Sequence, residues 1–358
     1  MTQALIFIIL KTGIKVNKIT VLNTKFVYVL DSCYNNRCTA RIYDQYRKRK
    51  GSTMKYIDLG GSGLSASAIA LGCMRIPEMS VSEVSTLINK CLELGVNFFD
   101  HADIYGGGVC EELFGKVFKE EKTLRDKLLL QSKCGIRKGY FDFSKEHILD
   151  SAEGILRRLG IECLDVLLLH RPDTLMEPDE VAEVFNILHD SGKVRYFGVS
   201  NMKPEQIELV QGAVKQKLII NQLQFSATNT GMVDSGLYVN MEVNQSIDRD
   251  GSILEYCRRK NITIQTWSSL MYGFFEGTFL ENEKFPKLNE VLDRISKEKG
   301  ITKASLAIAW ILRHPAKMQA IPGTTKYSRI ADMVKGVDIE LSKPEWYEIY
   351  TAAGNKLP

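Results

Sequence analysis

The stretch VNFFDHADIYG, residues 96–106, carries an apolar run from Val96 to Phe99 into Asp100, and Tyr105 follows five positions later. Elsewhere LLLQSK ends in Lys133, and LDVLLLH ends in His170. A carboxylate, a phenol, an ammonium and an imidazole can share one chemistry. A phenol has a reference pKa of about 10, so it is a poor acid at neutral pH. A nearby ammonium favours the phenolate and lowers that pKa, and a carboxylate holds the ammonium in place and charged. An imidazole beside the phenol can orient a carbonyl oxygen by hydrogen bonding. Together these groups describe a proton donor aimed at a carbonyl oxygen that is becoming an alkoxide. No side chain supplies a hydride, so a nicotinamide cofactor is implied. Taken singly, each residue has an ordinary explanation: a turn or cap aspartate, a snorkelling lysine, a satisfied histidine. Four of them at the ends of neighbouring strands would not.

Such convergence needs a frame. From Met54 onward, β-like runs appear at 67–73, 96–100, 128–133, 164–170, 194–200, 219–225, 262–267 and 319–323. Several are apolar almost throughout, as strands buried on both faces should be. Helical patterns lie between them. Ser80-Val-Ser-Glu83 is a capping box opening a helix through Leu94, with Gly95 as its stop. Ser144 caps a helix to about Leu159 before Gly160, residues 177–190 form another, and Pro204 suits a first helical turn. Strands alternating with helices pair in parallel, and at this count a closed (β/α)8 TIM barrel over residues 54–358 is favoured over an open sheet. Catalytic groups in such barrels sit where strands end and βα loops begin. Asp100, Lys133 and His170 close the second, third and fourth strands, with Tyr105 just beyond the second.

The competing motif is GSGLSA, residues 61–66, which fits G-x-G-x-x-A with Glu83 twenty positions after Gly63. A dinucleotide fingerprint needs a helix opening at those glycines, whereas a strand-like run continues there, and Glu83 belongs to the capping box. A hairpin turn closing the bottom of the barrel fits better. Gly106–Gly108 likewise read as a tight loop before the helix bearing Glu111, Glu112 and Phe114. Two loops on the catalytic side are long. Residues 226–250 carry Met232, Tyr238 and Met241, and residues 269–282 carry Tyr272, Phe274 and Phe275. Both are expected to form an aromatic-lined pocket mouth.

At 358 residues, 44% hydrophobic and 25% charged, the chain is long enough for one large α/β domain or two smaller ones. Its net charge of +4 is unevenly spread: residues 1–53 hold ten basic groups against Asp31 and Asp44, and the remainder is slightly acidic. That gives no argument for nucleic acid. The eight cysteines show no CxxC pair and read as reduced thiols in a cytoplasmic protein, not as a metal site. Residues 1–53 read as an extension outside the fold, disordered or upstream of the true start at Met54; a basic arm or membrane-surface anchor is the sharper alternative. The apolar run Ala4–Leu10 is far short of the roughly 20 residues that span a bilayer.

With these residues in place, the chain resembles the aldo-keto reductase family from about Met54 to the region of Lys335, of the general bacterial type. DHADIYG, LQSKCG and LLLHRPD are similar to the family's catalytic segments. The resemblance implies Tyr105 as general acid, Lys133 and Asp100 as the pair that sets its pKa, and His170 as the group orienting the carbonyl. It implies that Ser200, Asn201 and Gln222 grip the nicotinamide carboxamide and that Trp267 stacks on the nicotinamide. Ser268 and Leu270 would touch the pyrophosphate, and Gly323, Thr324 and Arg329 in IPGTTKYSRI would hold the adenosine phosphate. The implied activity is reduction of aldehydes and ketones to alcohols with NADPH, or less favourably NADH, on a small-molecule carbonyl substrate. Three departures are visible: tryptophan where tyrosine or phenylalanine is commoner, no proline after the serine in TWSSL, and Gly323 where some members carry a lysine. Two alternatives stand beside the enzyme. One is a nucleotide-binding, redox-sensing subunit akin to the potassium-channel β-subunits of the superfamily. The other, more distant, is a phosphate-binding isomerase barrel.

Overall fold

The computed structural model describes residues 54–358; the segment 1–53, with the expectations attached to it, lies outside the described residues. Eight parallel strands form the barrel: β3 (Leu71–Gly72), β4 (Phe98–Asp100), β5 (Leu129–Cys134), β6 (Leu164–Leu169), β7 (Val194–Ser200), β8 (Leu218–Gln224), β9 (Thr263–Trp267) and β12 (Gln319–Ile321). Each pairs with its predecessor in space. The ring closes where Ala320 N donates to Ala68 O at 3.0 Å, Ala70 N to Ala320 O at 2.8 Å and Gly72 N to Pro322 O at 3.0 Å. The fold is thus the (β/α)8 TIM barrel that the alternation implies.

The run 67–73 differs from expectation. It is divided between two jobs: Ser67 ends the antiparallel hairpin of β1 (Tyr56–Asp58) and β2 (Ser65–Ser67), and the chain reaches the barrel only at Ile69, which bridges Ala320, and at Leu71. GSGLSA is the turn and second arm of this hairpin, and not a phosphate loop. Its Leu59, Leu64 and Ala66 plug the barrel floor against Phe98, Leu129, Ile219 and Ile220.

The helices follow the capping chemistry. In α1 (Val81–Glu93) the Ser80 hydroxyl accepts from Glu83 N while the Glu83 carboxylate accepts from Ser80 N at 2.8 Å. Its buried residues Val84, Leu87, Ile88 and Cys91 form one apolar stripe. After Gly106–Gly108, α2 (Val109–Glu120) begins; α3 (Lys145–Leu159) stops at Gly160, whose φ of 63° only glycine adopts cheaply. Next come α4 (Pro178–Asp190) and α5 (Pro204–Ala213), each with proline in its first turn. The remaining helices are α6 (Gly231–Leu237), α7 (Ile253–Lys260), α8 (Pro286–Lys299), α9 (Lys303–Leu312), α10 (Tyr327–Lys335) and α11 (Lys343–Ala352). A hairpin of β10 (Met271–Tyr272) and β11 (Gly277–Thr278) stands on the loop after β9.

Gly60 ties the floor to the barrel wall. Its φ is +59°, and a Cβ there would lie 2.6 Å from the Ile219 Cβ. Gly60→Ala adds the left-handed penalty to forced overpacking, an expected loss of about 2–5 kcal/mol. Urea unfolding checks this; a midpoint equal to wild type would show that the floor is not packed as described.

Candidate active site

Strand periodicity builds the site. Alternate residues point into the barrel, so the inward set runs Phe98, Asp100; Leu129, Gln131, Lys133; Val166, Leu168, then His170; Gly198, Ser200; Ile220, Gln222; and Gln265, Trp267. The floor is apolar, the middle is amide, and the rim is polar. Outward residues such as Phe99, Leu130, Leu167 and Ile264 pack against the helices.

At the rim, Lys133 is wholly buried, and its ammonium lies 2.8 Å from Asp100 Oδ1 and 2.9 Å from Oδ2. The same Nζ donates to His101 O at 2.8 Å and to the Tyr105 hydroxyl oxygen at 3.2 Å. Three donors meet their partners. Because the lysine donates into the phenol's lone pair, the phenol proton is left to point into the cavity. The His170 ring meets that of Tyr105 edge-on, with centroids 6.2 Å apart. The four residues whose types suggested carbonyl chemistry are brought together.

Burial sets the protonation states. It pushes the Tyr105 phenol above its ordinary value, and Lys133 only partly offsets it while Asp100 adds to the rise. This corrects the expectation of a lowered phenol pKa: desolvation of a buried phenolate outweighs the ammonium's attraction. Burial by itself would pull Lys133 down, but the negative charge of Asp100 and the hydrogen bonds to Asp100 and Tyr105 outweigh it and leave the ammonium more firmly protonated. Burial, then Lys133 and Arg171, hold His170 well below the usual histidine range. The site therefore holds a protonated phenol beside a neutral imidazole.

Behind the ion pair runs a relay of glutamines that the sequence reading missed. Gln131 Nε2 donates to Asp100 Oδ1 at 2.6 Å and to Gln265 Oε1 at 2.8 Å; Gln222 Nε2 donates to the same two oxygens at 3.1 and 2.9 Å. Gln265 Nε2 donates to Gln319 Oε1 at 2.8 Å, and Gln319 Nε2 to Ser67 O at 2.7 Å. The available signal was a glutamine at an inward position in otherwise apolar strands, in LLLQSK, TIQTW and QAI. Gln222 is one of the residues tied to the nicotinamide by resemblance, and here its amide nitrogen also braces Asp100.

A cavity of about 260 Å³ opens over this rim. Asp100, Tyr105 and His170 line it together with Ser200, Asn201, Gln222, Trp267, Ser268 and Gly323. Ser200 Oγ donates to Gln222 O at 3.0 Å, Asn201 Nδ2 to Ser200 Oγ at 2.7 Å, and Trp267 Nε1 to Asn201 Oδ1 at 3.1 Å. Asn201 and Ser268 have φ of 58° and 56°, left-handed conformations at strand ends that asparagine tolerates and serine resists. Leu270, Thr324 and Arg329 are not on the cavity wall. Leu270 O instead accepts from Phe279 N, Thr324 Oγ1 accepts from Lys326 N at 3.2 Å, and Arg329 is exposed at the start of α10.

The two long loops part company. Met271, Phe274 and Phe275 from the second reach the cavity, with Phe275 stacked on Trp267 at 5.8 Å between centroids. Tyr272 turns away onto Phe285. Residues 226–250 do not line the cavity; they fold into α6, with Met232 and Tyr238 buried and the Tyr238 hydroxyl donating to Lys356 O. Met74, Arg75, Ile104, Ile136 and Arg171 also line the wall and were not anticipated.

The polar trio of Ser200, Asn201 and Gln222 beside one indole fits the carboxamide and ring of a nicotinamide, and the closed barrel with its inward tetrad defines the class. The Aldo/keto reductase family profile matches residues 68–353, and the chain belongs to that family of oxidoreductases. The uncharacterized oxidoreductase YcsN of Bacillus subtilis is 36% identical over 303 residues, covering 81% of this chain and 95% of that protein. A 6-dehydroglucose reductase of Agrobacterium fabrum is 33% identical over 311 residues, covering 82% of this chain and 96% of that protein. The fold also matches the crystal structure of an aldo-keto reductase from Klebsiella pneumoniae in complex with NADPH. The TM-score is 0.66 at 23% identity, over 83% of this chain and 94% of that one. No described helix is long and apolar enough to cross a membrane, and no described cluster of His, Cys, Asp or Glu could hold a metal ion.

His101, behind the rim, packs edge-on against Phe114 with both ring nitrogens buried and unpartnered. Burial, then Lys133, lowers its pKa to about 3. The unfolded residue titrates at about 6.5. The folded state thus favours the neutral ring, and this contribution is complete above about pH 6.5 and lost as pH falls toward about 3. The urea midpoint is expected to drop between about pH 7.5 and about pH 5, and His101→Leu to narrow that drop. An unchanged drop in the variant would place the acid sensitivity elsewhere.

Proposed function

We propose that this chain reduces aldehydes or ketones to alcohols with NADPH, and that Tyr105 is the general acid. The observation that carries the reading is the Lys133–Tyr105 contact, which leaves a protonated phenol facing the cavity beside a neutral imidazole. When bound, the nicotinamide supplies the hydride. Ser200, Asn201 and Gln222 would hold its carboxamide, while Trp267 would set the plane of its ring. Tyr105 and His170 converge on one point, where a carbonyl oxygen accepts their hydrogen bonds and is polarised. As negative charge develops on that oxygen, the phenol delivers its proton. Lys133, fixed by both Asp100 oxygens, then stabilises the phenolate that remains. The glutamine relay prevents Asp100 from rotating away. Phe274, Phe275 and Met271 supply apolar wall to the cavity in which the reacting atoms would meet.

Tyr105→Phe removes only the acidic proton and keeps the ring. Its kcat for aldehyde reduction is expected to fall by about 10²–10⁴-fold, with the Kd for NADPH nearly unchanged. Lys133→Met should be comparably damaging, and it also strands Asp100 in the interior at about 3–5 kcal/mol, so its melting is measured alongside. Near-normal turnover by Tyr105→Phe would sink the assignment. A wild type that binds NADPH but consumes none against a panel of aldehydes and ketones would favour a regulatory, nucleotide-sensing barrel instead.

Preference for NADPH over NADH would rest on Arg329. It is exposed in the first turn of α10, directly after the IPGTT segment, and no carboxylate pairs with it among the described residues. A guanidinium matches a 2′-phosphate with two parallel charge-assisted bonds. Arg329→Ala is expected to weaken NADPH binding by roughly 10- to 150-fold while NADH binding barely moves. Equal losses for both cofactors would assign Arg329 a purely structural role.

A further inference from the structure

Arg171 follows His170 directly and lines the same cavity as Tyr105. Its guanidinium lies over the Trp267 ring, 5.7 Å from the centroid, in a half-buried position. Other partly buried arginines of the barrel are paired: Arg125 with Asp165 at 2.8 Å, Arg158 with Glu111 at 2.7 Å, and Arg195 with Asp165 at 3.0 Å. Arg171 has no carboxylate partner and no hydrogen bond to protein among the described residues. Across the cavity, Arg75 is anchored by its own bond to Gly323 O at 2.8 Å and likewise meets no carboxylate. Among the described residues, the one carboxylate on the wall is Asp100, whose oxygens are already taken by Lys133, Gln131 and Gln222. A cation drawn partly out of water without a counter-ion is costly. The cavity thus offers guanidinium and no acid to whatever enters it.

We propose that the substrate carries a carboxylate as well as its carbonyl, and that Arg171 grips that carboxylate. The proposal rests on the carbonyl-reductase reading above. Strand order favours substrate over nucleotide as the source of the anion. Arg171 follows β6, which stands four places from β12 in the eight-stranded ring and so on the opposite side from the Gly323–Arg329 segment. It is instead adjacent to His170, the group that meets the carbonyl oxygen. Ile104, Ile136 and Phe274 supply apolar wall to the same cavity, suited to an aromatic or aliphatic body. A planar carboxylate meets a guanidinium through two parallel hydrogen bonds, which a neutral isostere cannot reproduce.

The probes are 4-carboxybenzaldehyde and 4-nitrobenzaldehyde, matched in shape and differing in charge. Their intrinsic reactivities differ, but that difference cancels when the kcat/KM ratio of the two is compared between proteins. With NADPH, Arg171→Gln is expected to lower the carboxy-to-nitro ratio by about 10- to 100-fold, mainly through KM for the carboxylated aldehyde. Arg171→Lys, which keeps the charge and much of the bulk, should retain part of the preference. A wild type that reduces both aldehydes, with a ratio that neither variant changes, overturns the anionic substrate but leaves the reductase intact. A weakened Kd for NADPH in Arg171→Gln with an unchanged ratio assigns the guanidinium to the nucleotide and also overturns it. A wild type that reduces neither probe but consumes NADPH with other aldehydes or ketones of the panel overturns this proposal alone, and one that consumes NADPH with none of them overturns the reductase reading as well.

Discussion

The ammonium of Lys133 sits in the barrel with no access to water, and most of the site follows from the need to satisfy it. A cation at that depth is tolerable only if every donor is used and a carboxylate is held close. Asp100 supplies both oxygens, the His101 carbonyl takes a further bond, and the phenol of Tyr105 is brought within reach by the same atom. Asp100 must then be kept from turning, and Gln131 and Gln222 do so from neighbouring strands. Each of those amides is oriented by Gln265, which is oriented by Gln319, which ends on a backbone carbonyl of the floor hairpin. The geometry of the rim is thus referred through fixed amide directions to the bottom of the barrel.

This arrangement explains why the interior is stacked in three kinds of layer. Leucine, isoleucine and phenylalanine at the floor exclude water and contribute cohesion. Amides in the middle carry orientation without net charge. Charge appears only at the top, where the low dielectric set by the lower layers makes each interaction strong. The same desolvation that threatens the ion pair keeps Tyr105 protonated and His170 neutral. In the proposed reduction, a proton-donating phenol gains from that exclusion of water.

The tetrad and the cavity wall come from different parts of the molecule. The tetrad lies on strand ends and one short loop, braced by the barrel itself. The cavity wall above it comes from loops after β3, β4, β5, β6, β7, β9 and β12, and wall residues such as Met74, Ile136 and Phe274 can change without altering the tetrad. The hairpin of β10 and β11 brings Phe274 and Phe275 against Trp267, so one side of the indole is already occupied by the chain. Family membership therefore speaks to the class of reaction, and the wall to what can enter the cavity.

Much of this was legible in the sequence, because it depends on local rules. Alternation of strands and helices gave the barrel, the capping box at Ser80 gave a helix boundary, and polar residues at the ends of apolar runs gave Asp100, Lys133 and His170. Period two then decides that these side chains face inward together. What the sequence alone could not decide depends on residues far apart in the chain. Gln131 and Gln265 meet across 134 positions, and only the register of eight strands puts their amides in line. The sign of the Tyr105 shift was misjudged because a partner can be read from residue types, whereas burial cannot be weighed without the packed barrel. The loop 226–250 looked like a cavity wall by its composition, yet Tyr238 is drawn away by the backbone near the C-terminus. Local sequence determined which groups exist and which way each strand presents them. Tertiary structure decided their neighbours, their dielectric surroundings and hence their protonation, because those are properties of the space between elements and not of any element itself.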